Sequence, residues 1–258
     1  MTGEVTDKAM SDSAGEAAGD RERRRRVAVL RAAGVYLVTE EALSAGRRSE
    51  AIAAAALDAG VRVIQVREKE GTARRALEVA LAVRRLTERF DALLIVNDRI
   101  DIALAAGADG VHLGQDDVPI DRARRLLGEP ALIGLSITDA TQLATPDAAA
   151  ADCLGVGAVF ATESKSDATP TGLELLGAAR IAADAMAAGP PALSRGRTPI
   201  VAIGGIGPGN AARAVAAGAD VVAVISAIAS APDPGRAAAN LLEIVRAAEA
   251  ERLAPISR

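Results

Sequence analysis

Residues 106–113 read AGADGVHL, and residues 217–225 read AGADVVAVI. In each stretch an alanine-rich segment of helical period stops at a glycine, and a short apolar run follows it. A glycine just past a helix can take the left-handed conformation that lets the chain reverse into a strand. The similar Asp58-Ala59-Gly60 precedes the apolar run at 61–66. This recurring pattern predicts helix-to-strand units repeated along the chain.

Eight apolar runs rich in Val, Ile and Leu alternate with segments of helical period from residue 34 onward. We predict strands near 34–39, 61–66, 92–96, 109–113, 131–135, 153–159, 199–203 and 220–225. We predict helices near 48–59, 72–89, 99–106, 119–127, 139–150, 172–187, 208–217 and 234–250. Eight such repeats predict an α/β fold of the (βα)8 TIM barrel type, because right-handed crossovers place helices outside and strands inside. A doubly wound open sheet is the structural alternative.

The N-terminal stretch and one internal stretch depart from this repeat. Residues 1–26 are polar and arginine-rich, which favours a disordered tail, with an arginine contact site as the alternative. Residues 27–258 are then predicted to form a single barrel catalytic domain. Segment 187–198, AAGPPALSRGRT, contains a Pro-Pro pair and is predicted to be a surface insertion.

The composition of the chain argues against a nucleic-acid-binding protein and against a membrane-spanning one. The 258 residues carry a net charge of −4, without a basic stripe interleaved with aromatics, so nucleic acid is not an expected partner. No apolar stretch reaches the roughly 18 residues that a membrane span needs. The single cysteine, Cys153, lies in an apolar run and is expected to be a buried structural thiol, which fits a reducing cytoplasm.

Polar residues cluster at the predicted strand ends, where a barrel builds its active site. Gln65, Arg67 and Lys69 alternate along the second strand, so one face carries an amide and two cations. Of 30 basic residues only three are lysines, and both lysines outside the tail, Lys69 and Lys165, follow a predicted strand. Lysine provides a compact ammonium suited to phosphate oxygens. We predict phosphate contacts for both, against the alternative of a solvated charged loop.

Asp98 and Asp117 follow consecutive strands, which are neighbours in a barrel. Two carboxylates, with other positions left to water and substrate phosphate, are a usual way for proteins to hold Mg²⁺. The alternative is that each aspartate caps the helix that follows it. Spacing alone leaves both interpretations open.

A second candidate site lies after the last two strands. The glycine-rich stretch 204–209 follows the seventh strand, and Ser226 ends the eighth. Loops at these positions often bind phosphate through backbone N–H groups. A glycine turn without a ligand is the alternative. His112, the only histidine, is expected to be a structural, hydrogen-bonded residue, and no GxSxG turn supports a Ser/His/Asp triad.

The strand-end residues, in this order, closely resemble the thiamine phosphate synthase family. The resemblance covers roughly residues 34–230 and rests on QVREK at 65–69, VND at 96–98, VHLGQDD at 111–117, GLS at 134–136, FATESK at 160–165 and AIGGI at 202–206. It implies a transferase in which the ring nitrogen of 4-methyl-5-hydroxyethylthiazole phosphate displaces pyrophosphate from 4-amino-5-hydroxymethyl-2-methylpyrimidine diphosphate. It also implies Mg²⁺ as cofactor and a pyrimidine-methyl cation on the reaction path.

The resemblance further assigns roles to individual residues. Those that would surround the pyrimidine diphosphate are Gln65, Val66, Arg67, Glu68, Lys69, Asn97, Ser136 and Lys165. Those that would bind the thiazole phosphate are Thr162, Glu163, Ser164, Gly205, Ile225 and Ser226. Asp98 and Asp117 would hold Mg²⁺, and we expect Arg67, Lys69, Ser136 and Lys165 to be the catalytic set.

Departures and rivals remain. Ala161 stands where the family commonly has proline, and Ser164 where it has threonine. A barrel isomerase resembling thiazole tautomerase, a Schiff-base aldolase and a non-catalytic phosphate-ligand binder are the competing hypotheses. Barrels of this type often self-associate, so a homo-oligomer is a further expectation.

Overall fold

Eight parallel strands close into a barrel in the computed structural model, which describes residues 3–162, 170–188 and 197–254. The strands are β1 Val35–Thr39, β2 Val63–Val66, β3 Leu93–Asn97, β4 Gly110–Leu113, β5 Leu132–Ile137, β6 Cys153–Val156, β7 Ile200–Ile203 and β8 Val221–Val224. Each pairs with the next along the chain, and β8 pairs with β1. The predicted (βα)8 barrel is confirmed, and the open doubly wound sheet is wrong.

Helices follow the strands as the periodicity predicts. The α-helices are α1 Gly3–Arg31, α2 Ser49–Asp58, α3 Ala73–Arg89, α4 Ile100–Ala106, α5 Ile120–Leu127, α6 Pro146–Ala150, α7 Gly172–Ala187, α8 Ala211–Ala216, α9 Ser226–Ala229 and α10 Pro234–Leu253. The predicted helix at 139–150 is divided into a 3-10 turn, Ala140–Ala144, and α6, which begins at Pro146 with Thr145 as its cap. None of the helices in the described ranges is long and apolar enough to span a bilayer.

Side chains along each strand alternate between two cores. Outward residues such as Leu37, Ile64 and Leu94 pack against the helices. Inward residues such as Leu93, Ile95 and Leu132 fill the lower barrel, with buried Cys153 among them, as predicted for a structural thiol. Because the same alternation continues upward, the inward positions at the carboxyl ends of β2 to β5 are polar and face a cavity.

A buried aspartate precedes every second strand from β4 to β8. Its carboxylate accepts a hydrogen bond from the backbone N–H of the first or second residue of the preceding strand, at 2.8–2.9 Å, and pairs with an arginine of a barrel helix. The three pairs are Asp109 with Arg84, Asp152 with Arg124 and Asp220 with Arg180. The aspartate in the AGAD repeat therefore joins one strand to its neighbour and to a helix.

Residues 3–26 of the stretch predicted to be a disordered tail belong, in the structure, to the 29-residue helix α1. Arginine and glutamate favour helix, and pairs one turn apart, such as Glu22 with Arg26, stabilise it. An arginine of this stretch contacts the barrel itself. Arg26 donates to the carbonyls of Asp109 and Pro130 at 2.9 and 3.0 Å and pairs with the Asp109 carboxylate. Helix α1 thus covers the lower end of the barrel, where fully buried Leu30 joins the inner core.

The predicted insertion at 187–198 begins where expected, since α7 ends at Ala187. Its central residues 189–196 lie outside the described part of the chain, so the prediction for them is neither confirmed nor contradicted.

Replacing Arg26 with alanine is expected to lower the free energy of unfolding by about 1–3 kcal/mol, because the buried Asp109 loses a charged donor to its carbonyl and its carboxylate, and the exposed Pro130 carbonyl loses a third contact. Arg24→Ala is the matched control, since that side chain is 65% exposed and its loss should cost under about 0.5 kcal/mol. Urea denaturation of both variants measures the difference. Equal losses would show that α1 is not held to the barrel through Arg26.

Candidate active site

A cavity of about 810 Å³ opens at the carboxyl ends of the strands. One wall carries the inward polar residues Gln65, Arg67, Asn97, His112 and Ser136. The opposite wall is formed by the ends and loops of β6 to β8, including Thr162, the glycine-rich stretch 204–209, Ile225 and Ser226. The structure therefore brings residues of both predicted substrate groups to one space, at the end of the barrel where active sites form.

Gln65 is buried, and its amide Nε2 donates a 2.8 Å hydrogen bond to the Tyr36 hydroxyl. Burial raises the pKa of Tyr36, so this phenol stays protonated. Residue-type reasoning missed Tyr36, although the period of two along β1 places it on the same face as Val38. The carbonyl oxygen of the Gln65 amide is left to act as an acceptor.

Arg67 is buried and forms an ion pair with Glu40, which follows β1. The loops after β1 and β2 also enclose a smaller cavity of about 260 Å³, lined by residues 40–42 and 67–70. Lys69 therefore lies beside Arg67. Glu68 accepts a hydrogen bond from Ser49 Oγ at 3.1 Å, and burial raises its pKa. Glu40 was missed because one acidic residue after a strand carries no distinctive pattern.

Val66 differs from its predicted neighbours. Its side chain is 2% exposed and belongs to the core between barrel and helices. Alternation along β2 turns it away from the cavity that Gln65 and Arg67 line. Any contact between Val66 and a substrate is therefore restricted to its backbone.

Asp98 and Asp117 lie together at the ends of β3 and β4. The pKa of Asp98 is raised first by burial and then by the charge and hydrogen bonding of Asp117, while Lys69 and Arg67 oppose the shift. Asp117 Oδ2 accepts from the Gly114 N–H at 2.7 Å, which fixes its loop. The helix-cap alternative is wrong for both aspartates, because α4 begins after Arg99 and α5 after Pro119, neither with a side-chain cap.

The paired carboxylates suit a hard divalent cation, which would relieve their repulsion and leave other ligand positions to water or phosphate oxygens. Within residues 3–162, 170–188 and 197–254, no cluster of three or more His, Cys, Asp or Glu side chains forms a fuller cation site. A cation held there would be shared between protein and ligand.

The loop after β7 packs closely on the loop after β6. Gly205 has φ +63°, and a Cβ there would lie 2.3 Å from the Ala161 carbonyl oxygen, so only glycine fits. Asn210 braces this turn: its Nδ2 donates to the Gly205 carbonyl at 2.9 Å, and its Oδ1 accepts from the Gly207 N–H at 2.8 Å. Ser226 begins α9 beside this loop and faces the same cavity.

Three predicted site residues, Glu163, Ser164 and Lys165, lie outside the described residues. Their neighbour Thr162 lines the cavity, so the chain enters that stretch from the cavity wall. His112, expected to be a hydrogen-bonded structural residue, has its Nε2 at 3.0 Å from Ser136 Oγ. Sequence reasoning did not connect these two side chains.

The family model described as thiamine monophosphate synthase matches residues 35–228. A thiamine-phosphate synthase of Haloarcula marismortui is 50% identical over 210 residues, covering 80% of this chain and 94% of the relative. One of Moorella thermoacetica is 45% identical over 212 residues, covering 82% and 95%.

Among solved structures, thiamine phosphate pyrophosphorylase from Pyrococcus furiosus is similar with a TM-score of 0.72 and 35% identity. The match covers 85% of this chain and 98% of that one. The matched residues include all eight strands and the loops that form the cavity. The chain belongs to the thiamine monophosphate synthase family.

Proposed function

We propose that this chain is a transferase that joins 4-amino-5-hydroxymethyl-2-methylpyrimidine diphosphate to 4-methyl-5-hydroxyethylthiazole phosphate, giving thiamine phosphate and pyrophosphate. The observation that carries this proposal is the cavity of about 810 Å³, into which β2 to β5 direct amide, guanidinium and hydroxyl groups and β7 and β8 direct a glycine turn. Membership of the thiamine monophosphate synthase family supports the choice of reaction.

The pyrimidine diphosphate is assigned to the polar wall. Gln65 and Asn97 offer amides to the ring, and Ser136 offers a hydroxyl. Arg67, Lys69 and Lys165 would bind the diphosphate, whose negative charge grows as the carbon–oxygen bond breaks. Val66 and Glu68 border the same strand end and are kept in this group as proposed contacts.

Asp98 and Asp117 are the proposed Mg²⁺ ligands. Their juxtaposed carboxylates, with a raised Asp98 pKa, fit such an ion. Bound there, Mg²⁺ would supply positive charge to the departing pyrophosphate.

The thiazole phosphate is assigned to the opposite wall. The Gly205 turn and Ser226 at the start of α9 present backbone N–H groups and a hydroxyl, which suit a phosphate. Thr162, Glu163, Ser164 and Ile225 complete this proposed subsite. Holding the two substrates on facing walls would orient the thiazole nitrogen toward the pyrimidine methylene carbon, which lowers the entropic part of the barrier.

Purified protein supplied with Mg²⁺ and both substrates is expected to release pyrophosphate and thiamine phosphate in equal amounts. Coupled pyrophosphate detection and chromatography of the product measure this. Omitting the thiazole phosphate is the control for simple hydrolysis. Folded protein that binds thiazole phosphate but forms no product would instead favour a non-catalytic binder, and isomerised thiazole without pyrophosphate would favour the tautomerase-like hypothesis.

Replacing Asp98 with alanine is expected to raise the Mg²⁺ concentration for half-maximal rate by about tenfold or more, because one of two carboxylate ligands is removed. Mn²⁺ binding followed by electron paramagnetic resonance should weaken in parallel. Asp116→Ala, which alters an exposed carboxylate in the same loop as Asp117, is the matched control and should leave both measurements unchanged. An unaltered metal dependence in Asp98→Ala would remove this residue from the metal site.

A further inference from the structure

We infer that His112 is a positioning residue that acts through Ser136: its imidazole, seated on two glycines, holds the Ser136 hydroxyl toward the pyrimidine diphosphate. This inference rests on the proposed function for the identity of the substrate. The seat and the hydrogen bond are features of the barrel itself.

The imidazole crosses the inner face of the barrel from β4 over β5 to β6. A Cβ added to Gly134 would lie 2.5 Å from Nδ1, and one added to Gly155 would lie 2.7 Å from Cε1 and 2.9 Å from Nε2. The ring therefore occupies the space of two side chains that these strands lack. His112 pairs with Gly134 and Ser136 pairs with Gly155 in the strand register, so all four residues adjoin one another.

The seat directs the ring toward Ser136 on the cavity wall. His112 Nε2 lies 3.0 Å from Ser136 Oγ, and both residues line the cavity. The backbone of Ser136 is restrained as well, since its carbonyl accepts a 2.6 Å hydrogen bond from Gln115 Nε2. Both contacts come from β4 or the loop after it, so this strand fixes the hydroxyl and the backbone of a β5 residue.

The proposed reaction does not ask His112 to transfer a proton. The carbon–oxygen bond breaks with its electron pair leaving on pyrophosphate, and the thiazole nitrogen lone pair then forms the carbon–nitrogen bond. No proton is gained or lost in either step, so a general base has no task. A hydroxyl held in one rotamer does have a role, because a contact that is already oriented toward the substrate lowers the entropic part of the barrier.

A double-mutant cycle tests whether His112 acts through Ser136. His112→Leu and Ser136→Ala are each expected to lower kcat/KM for the pyrimidine diphosphate by about tenfold or more, with KM for thiazole phosphate within about twofold. The kcat/KM of the double variant should lie within about twofold of that of the more impaired single variant. His112→Gln, which keeps a polar nitrogen, should recover part of the loss. Losses that multiply in the double variant would overturn the inference.

Gly155→Ala tests the seat without altering either side chain of the pair. The new methyl group should displace the His112 ring and lower kcat/KM as His112→Leu does. The methyl group would clash with the ring alone, because the next atom from it, the Leu135 carbonyl oxygen, is 3.8 Å away. In a His112→Ala background the same substitution should have no further effect. Full activity of Gly155→Ala alone would show that the ring is not seated there.

A spectroscopic readout separates this inference from the proposed function. The chain has one histidine, so untagged protein labelled with ¹⁵N-histidine gives one imidazole signal pair. Ser136→Ala should shift the Nε2 resonance, whereas Ser226→Ala, on the opposite wall of the same cavity, should not. Circular dichroism confirms that each variant is folded. If Ser136→Ala shifts the Nε2 signal but the wild-type protein forms no product, the synthase assignment is rejected and the His112–Ser136 contact is kept. If the wild-type protein is active but Ser136→Ala leaves the signal unchanged, the positioning role is rejected.

Discussion

The carboxylates beneath β4, β6 and β8 are the interaction on which the rest of the barrel depends. Each is nearly inaccessible to water, with side-chain exposure of 3–6%, and each receives a backbone N–H and at least one arginine. Removing a single partner would leave a buried charge, which is far costlier than breaking an exposed ion pair. Since each carboxylate joins two strands and a helix, it fixes their register. That register decides which side chains reach the cavity at the other end.

The two ends of the barrel therefore have different tasks. The lower end is covered by α1 and holds aspartates whose partners are arginines of the same chain. The upper end holds carboxylates that repel each other and a tight glycine turn, and both are suited to ligands. The same division of stability and chemistry is general in TIM barrels.

Sequence reasoning succeeded wherever a local pattern determines the structure. Apolar runs that alternate with helical segments predicted all eight strands, and position at a strand end predicted that Gln65, Asn97 and Ser136 would share a cavity. For residues 3–26 the expectation of a disordered tail rested on low apolar content, whereas the structure has a helix whose Arg26 contacts a residue far along the chain. Sequence reasoning missed Tyr36, Glu40 and the contact of His112 with Ser136. These depend on which strands become neighbours, and no single segment encodes that.

The distance along the chain between α1 and its partners has a consequence for the order of folding. Arg26 bonds to carbonyls 83 and 104 residues further on. Helix α1 precedes the barrel strands along the chain, so Arg26 cannot dock until β4 and the turn before β5 have been made, and closing so long a loop is slow. Helix α1 is thus synthesised before its docking site and docks late, and the lower core around Leu30 stays open to solvent in the meantime.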